Sequence, residues 1–502
     1  MSRPSFDVLT RPWIPVTGRD GSLGELGILD TLAQAYALRE IRDPSPIVEF
    51  GLYRLLVAFV LDALTFAGRR PQEPLDLRAL LAEGGFETGL FESYVADCGD
   101  VFDLFGLERP FLQTVMDGEK SKPLAGLFPA MPSGTNAAHW LHVPEEEWAV
   151  TAEEAARLLA TIAPFMTAGG AGLSPSINGA PGIYVLPIGR NLYETLVLNL
   201  PLRDEQDAGD GTVAWRNRTT PGRERSQATT VESLTWRPRR IQLLAESDEE
   251  AKVRVREMRF ARGDSTRLSW IDGSLAHRYD KEKVTPVRMR ENRPLWRDAG
   301  PLLLLSDAER GQEEKRICFK RPDVVANAFA VDMEGIPARI HAYGMRTDLK
   351  MKVFEWTKST WFVPPALGRS TRLGSLVQHE LERAEKGAWA LRSGVKSLYP
   401  REAASNRDAL KSVSSRCERA YWAGLEREFV PLLAAFAALD PDAPDEPALI
   451  DATASHWQQA IMALALEQFE EAAKDMDADG DALERLVTAR ARLRSTLRKV
   501  LS

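Results

Sequence analysis

The run Trp361-Phe362-Val363-Pro364-Pro365 divides the chain, because two consecutive prolines resist a continuous helix or strand. Beyond it, apolar spacing predicts helices over about 370–394, 405–439, 454–474 and 481–499. Trp457, Ile461, Leu464, Ala465, Gln468, Phe469 and Ala472 share one helical face. Leu483, Leu486, Val487, Arg490, Leu493 and Leu497 share another. Four such stripes can bury one another as a bundle. Ser405-Asn406-Arg407-Asp408 and Ser455-His456-Trp457-Gln458 are candidate capping boxes, and Pro431 is expected to kink or divide the second helix.

Before the prolines the pattern is mixed. Pro12 and Pro15 exclude a helix interior, so short strands around the turn Asp20-Gly21-Ser22 are expected. Leu52, Leu55, Leu56, Phe59, Val60 and Ala63 supply the buried face of a helix from about 47 to 66. That helix carries Arg54 and Asp62 and is too short to span a bilayer, which makes it a core helix. Further helices are expected over 75–83 and 90–94. Thr151-Ala152-Glu153-Glu154 reads as a capping box, and its helix ends by Pro164. Strands are expected at 183–186, 192–200 and 236–244, with more through Trp270. The fold class is therefore α+β: a mixed domain over 1–365 and a four-helix bundle over 366–502.

The 502 residues are 44% hydrophobic and 27% charged, as in an ordinary folded protein. A formal net charge of -8 argues against a uniformly basic nucleic-acid sleeve but leaves room for basic patches. Cys98, Cys318 and Cys417 have no CxxC partner, so reduced thiols in a cytoplasmic protein are expected, with no secretory leader and no membrane association.

Two loops have the composition of a recognition surface. One is Pro132-Ser133-Gly134-Thr135-Asn136-Ala137-Ala138-His139-Trp140, and the other runs from Ala168 to Gly182 through Gly169-Gly170-Ala171-Gly172-Leu173-Ser174. Small side chains let backbone amides approach another molecule. Basic side chains cluster at Lys281, Lys283, Arg288, Arg290, Arg293 and Arg297, and again at Arg346, Lys350 and Lys352. Such cations can neutralise phosphates or enter a minor groove. Surface solvation is the competing explanation.

Catalytic and metal signatures are missing from the sequence. The six histidines form no HExxH motif. Asp475-Met476-Asp477-Ala478-Asp479-Gly480-Asp481 imitates a calcium loop, but Leu486 stands where the closing Glu would be. The Gly-rich loop lacks the order of a P-loop, and there is no GxSxG elbow. No enzyme, cofactor or metal is expected.

In order and spacing, Arg11-Pro12-Trp13-Ile14-Pro15-Val16, Arg109-Pro110-Phe111-Leu112-Gln113, Gly134-Thr135-Asn136, the Gly-rich loop, Trp236-Arg237-Pro238 and the helical C-terminus resemble one family. It is the CasA family, the large subunit of the type I-E CRISPR surveillance complex, Cascade. The resemblance implies a non-catalytic subunit that recognises the protospacer-adjacent motif in double-stranded DNA and assists duplex opening and R-loop formation. It also implies guide crRNA, other Cascade subunits and a helicase-nuclease as partners. Guide pairing would read the target while protein contacts read the short motif.

By the same resemblance, the loop reaching the guide handle and motif corresponds to Pro132–Val143, with Asn136 in it and either His139 or Trp140 as the contacting ring. The minor-groove loop corresponds to Gly169–Ser174, with the amides of Gly170, Ala171 and Gly172 facing the bases. A groove-entering lysine of the family falls near Arg290 and Arg293, with Arg288 as an alternative. The duplex wedge corresponds to the turn Gly344–Lys350. There Leu349 replaces a glutamine, and Arg346 and Lys350 would hold flanking phosphates. No cysteine-rich insertion follows Trp236, so no structural zinc is implied. The competing function is a protein scaffold whose main task is recruiting the helicase-nuclease.

Overall fold

A computed structural model describes residues 4–127, 148–169, 172–203, 211–247, 252–281, 283–304, 317–348, 352–399, 407–444, 446–474 and 480–501. The chain forms two compact units, Met1–Met289 with Pro322–Thr360, and Arg290–Arg321 with Trp361–Ser502. The second unit thus takes in a segment that the sequence places with the first 365 residues.

The first unit is built around the helix Pro46–Phe66, which starts with proline in its first turn. Every residue from Ile47 to Leu64 is buried, so this helix has core on all sides rather than a single apolar stripe. Its polar side chains therefore need internal partners. Glu49 accepts from Tyr343 Oη and Lys358 Nζ, each at 2.6 Å. Asp62 accepts from Tyr94 Oη at 2.6 Å, and Arg54 anchors the site described below.

Among the described residues, the same unit contains several antiparallel sheets. Ile14–Gly18 lies between Leu23–Leu26 and Leu38–Ile41. Val253–Arg262 pairs with Arg239–Ser247, Ser121–Pro123 and Val150–Thr151. Tyr184–Ile188 pairs with Arg339–Thr347, the middle strand of a sheet completed by Val353–Trp361. Of the turn expected at 344–350, residues 344–347 are strand, and 349–350 lie outside the described residues.

The segment 192–200, expected as a strand, holds the helix Leu192–Leu198. Asn191 Oδ1 accepts the Glu194 amide at 2.9 Å, a local cap that decides for helix. All seven residues are buried, so the run carries no period from which helix and strand can be distinguished.

The second unit contains the helices Thr371–Ser397, Arg407–Ala437, Pro447–Ala473 and Gly480–Leu501. Trp457, Ile461, Ala465, Phe469 and Ala472 form the buried stripe of the third, as their spacing predicts. In the fourth the stripe is Ala482, Ala489, Leu493 and Leu497, and Leu483 and Val487 are exposed instead. The two alanines set the seam there because small side chains permit close approach. Arg407–Ala437 runs on through Pro431, between the buried Phe429, Leu432 and Leu433. Ser455 caps nothing: its helix starts eight residues earlier, and its hydroxyl donates to Ala452 O at 2.8 Å. The other expected cap, Ser405–Asp408, begins outside the described residues.

Trp296, from the short turn Leu295–Asp298, is fully buried in the same unit. Its ring centroid lies 5.3 Å from Phe429, 5.7 Å from Trp422 and 6.1 Å from Trp457. The segment 290–304 therefore plugs the bundle core.

Candidate nucleic-acid interface

The helix Ala152–Ala160 leads to the Gly-rich loop. Thr151 and Glu154 form its capping box, with the Thr151 amide donating to Glu154 Oε2 at 2.9 Å. This helix passes so close to Pro46–Phe66 that a Cβ on Gly51 would sit 2.8 Å from Ala160 O. After Phe165 the chain leaves the core, and the Ser176 amide closes the neck of the loop by donating to Met166 O at 2.8 Å.

Arg239 clamps both limbs, donating through Nη2 to Thr167 O at 2.8 Å and through Nη1 to Ser174 O. Burial lowers its pKa to about 10, so it stays charged at neutral pH. Within the neck, the Gly169 amide donates to Leu173 O at 3.1 Å, and Gly172 is exposed with a φ of +79° that favours glycine. Gly170 and Ala171 lie outside the described residues.

The returning limb is fixed from beneath. Asn178 is buried and donates to Asp272 Oδ2 and Tyr184 Oη, each at 3.0 Å. Asp272 in turn accepts from Arg54 Nη2 at 2.8 Å, while Arg54 also donates to Ser233 O at 3.1 Å and Leu234 O at 3.2 Å. Burial alone would raise the Asp272 carboxyl, but Arg54, Asn178 and the Ser274 amide outweigh it and hold it below its ordinary range. Arg54, Asp272 and Asn178 thus tie the loop to the central helix through a desolvated charge pair.

Arg288 lies against this limb. The Ile183 amide donates to Val287 O at 2.8 Å, and Arg288 Nε donates to Ala180 O at 3.3 Å. Burial lowers the pKa of Arg288, which a guanidinium tolerates without losing its charge. The Gly-rich loop and one of the three basic candidates are therefore neighbours.

A family profile described as CRISPR-associated protein Cse1 matches residues 7–468. The chain belongs to the Cse1 family.

A curated relative from Thermus thermophilus, CRISPR-associated protein CasA/Cse1, is 29% identical, the match covering 93% of this chain and 92% of that one. A crystal structure of CasA from Thermus thermophilus superposes with a TM-score of 0.79 at 24% identity, covering 99% of this chain and all (100%) of that one. Cse1 from Acidimicrobium ferrooxidans gives 0.78 at 20% identity, covering 100% and 99%. A chain of a structure titled CRISPR RNA-guided surveillance complex gives 0.76 at 20% identity, covering 99% and 100%. The Cse1 fold thus extends over the whole chain.

The remaining candidates of this Cse1-family chain are placed as follows. Arg290 is exposed and makes no side-chain hydrogen bond or ion pair among the described residues. Arg293 is engaged: its Nε reaches both oxygens of Asp298 at 3.0 Å, Nη1 reaches Glu385 at 2.6 Å and Nη2 reaches Arg297 O at 3.0 Å. Arg346 pairs with Glu355 at 3.0 Å and stacks over the Phe354 ring at 4.6 Å. Leu349 and Lys350 fall outside the described residues, as do Asn136, His139 and Trp140.

Sequence reasoning missed the supports Arg54, Arg239, Asp272 and Asn178. Asn178 stood within the quoted loop and Arg239 within Trp236-Arg237-Pro238-Arg239-Arg240, but nothing in one dimension paired them. Among the described residues, no cluster of three or more His, Cys, Asp or Glu side chains could hold a metal. The apparent calcium loop begins at 475–479, outside those residues. No helix of the described residues is long and apolar enough to cross a membrane.

Proposed function

We propose that this Cse1-family protein is the non-catalytic large subunit of a cytoplasmic type I-E CRISPR surveillance complex. In that role it joins guide crRNA and the other Cascade subunits and recognises the protospacer-adjacent motif in double-stranded DNA. It then assists duplex opening and R-loop formation and supports recruitment of the helicase-nuclease. The observation that carries the reading is the clamped Gly-rich loop beside Arg288, in a chain whose fold follows a subunit of a surveillance complex over its whole length.

A small-residue loop held at its neck presents backbone donors without bulk, which suits the shallow, degenerate chemistry of a minor groove. Arg288 and Arg290 supply positive charge for the flanking phosphates. Asn136, His139 and Trp140 are assigned to the guide-handle and motif contact, and Leu349, with Arg346 and Lys350, to the wedge that parts the first base pair. Because Arg293 is already paired with two carboxylates, Arg290 is the stronger groove candidate.

The test reconstitutes the guide-loaded complex with and without this subunit and measures binding to duplexes carrying a randomised adjacent motif at defined salt. Motif-selective enrichment that requires the subunit is the expected result. Equal enrichment in both preparations sinks the assignment and leaves the scaffold reading, for which the exposed Trp389, Leu483 and Val487 of the bundle offer apolar contact area.

A further inference from the structure

Away from the Gly-rich loop, the first unit contains a cavity of about 430 Å³ lined by Arg19, Arg39, Gly189, Arg190, Ala338 and Arg339. Four of its six lining residues are arginines. Two carboxylates that balance them, Glu40 and Glu194, are buried and do not line the opening. Glu40, nearly buried, accepts from Arg339 Nη2 at 3.0 Å and lies 3.6 Å from Arg39 Nε. Glu194, also buried, accepts from Arg190 Nε at 2.9 Å and Nη2 at 2.6 Å. Arg19 rests 5.7 Å from the centre of the exposed Tyr36 ring.

Arg190 and Arg339 are held by hydrogen bonds to Glu194 and Glu40 and Arg39 lies beside Glu40, while Arg19 is exposed beside the Tyr36 ring. Four guanidiniums stand against the buried Glu40 and Glu194 and the exposed Glu334, whose charge also acts on Arg190, so positive charge remains in excess at the opening. Ala338 and Gly189 complete the lining, the Ala338 amide donating to Ile188 O at 2.7 Å and Gly189 packing so close to Glu194 that a Cβ there would fall 2.3 Å from Glu194 Cβ. Planar donors fixed in place are the usual means of gripping phosphate oxygens.

We propose that Arg19, Arg39, Arg190 and Arg339 form a phosphate-binding site, separate from the Gly-rich loop, that takes either a strand phosphodiester or a free polyphosphate. It does not depend on the adjacent-motif reading, because it is tested on the isolated full-length chain. The probes are a fluorescent thymidine oligomer of about 15 nucleotides, followed by anisotropy, and inorganic pyrophosphate, followed by calorimetry.

The variant R19Q/R39Q changes two exposed side chains, and R494Q/R498Q, exposed on the bundle, is the charge-matched control. Circular dichroism confirms that both fold. With a strand as ligand, R19Q/R39Q weakens oligomer binding at least about fivefold near 50 mM salt and lowers the salt slope by about 1.4, while the control leaves both unchanged. With a free polyphosphate as ligand, R19Q/R39Q removes the pyrophosphate heat and spares the oligomer. The proposal is overturned if neither probe responds to R19Q/R39Q, or if the control lowers binding equally.

Discussion

Asp272 carries more of the candidate site than any residue picked out in the sequence, because both the central helix and the Gly-rich loop end on its carboxylate. Asp272→Asn leaves the Arg54 guanidinium buried without a counter-ion, which costs about 3–5 kcal/mol. Urea unfolding should show a lower midpoint, and hydrogen exchange should quicken at 176–184. The pH dependence has a defined sign. The folded carboxyl sits below its ordinary value of 3.8, so its contribution is fully present above that value and is lost as pH falls through the lower folded value. The gap between wild type and Asp272→Asn should therefore close on acidification. Arg239→Gln tests the clamp alone. Removing two donors from the neck should speed exchange of the Gly169 amide and increase proteolysis between 167 and 174, while the unfolding free energy falls by only about 1–2 kcal/mol.

At the scale of elements, the sequence is most legible where periodicity and caps agree. The bundle helices follow from their spacing and Ala152–Ala160 from its Thr151 cap, whereas the six apolar positions expected to form one face of Pro46–Phe66 belong to a helix buried on all sides. The strand expected at 192–200 is a helix because a fully buried apolar run has no period, and only Asn191 and Glu194 encode its form. The stripe of the last helix differs from expectation because the larger side chains Leu483 and Val487 outweigh Ala482 and Ala489 in a count of apolar positions, although close approach of helices requires small ones. The candidate site is legible as composition, two Gly-rich loops and a basic run, but the roles within the run are not. Arg288 faces the loop limb, whereas Arg293 and Arg297 share Glu385 and the Arg297 guanidinium lies 3.6 Å over the Trp422 ring. Glu385→Ala should destabilise the second unit by about 1–2 kcal/mol. A double-mutant cycle with Arg297→Ala should recover part of that loss, since it removes one of the two cations left without a partner.

On the scale of the molecule, the decisive feature is that the second unit is discontinuous in sequence. The paired prolines at 364 and 365 invite a cut there, yet the bundle core contains Trp296, which belongs to the segment 290–321. That segment packs closely: a Cβ on Gly300 would fall 1.8 Å from Gln378 Oε1. A fragment of residues 366–502 alone should therefore leave a tryptophan-sized void between Trp422, Phe429 and Trp457, a loss comparable to the roughly 3–5 kcal/mol typical of Trp→Ala in a core. The expected state keeps its helical circular dichroism but melts without cooperativity and binds ANS. Adding a peptide of residues 290–304 in trans should restore a cooperative transition and quench the dye signal, whereas the same peptide with Trp296→Ala should not. If the fragment melts cooperatively without the peptide, the plug is dispensable. Any recruitment assay on the bundle should carry this segment, because loss of binding by the bare fragment would otherwise report a collapsed core rather than a missing contact.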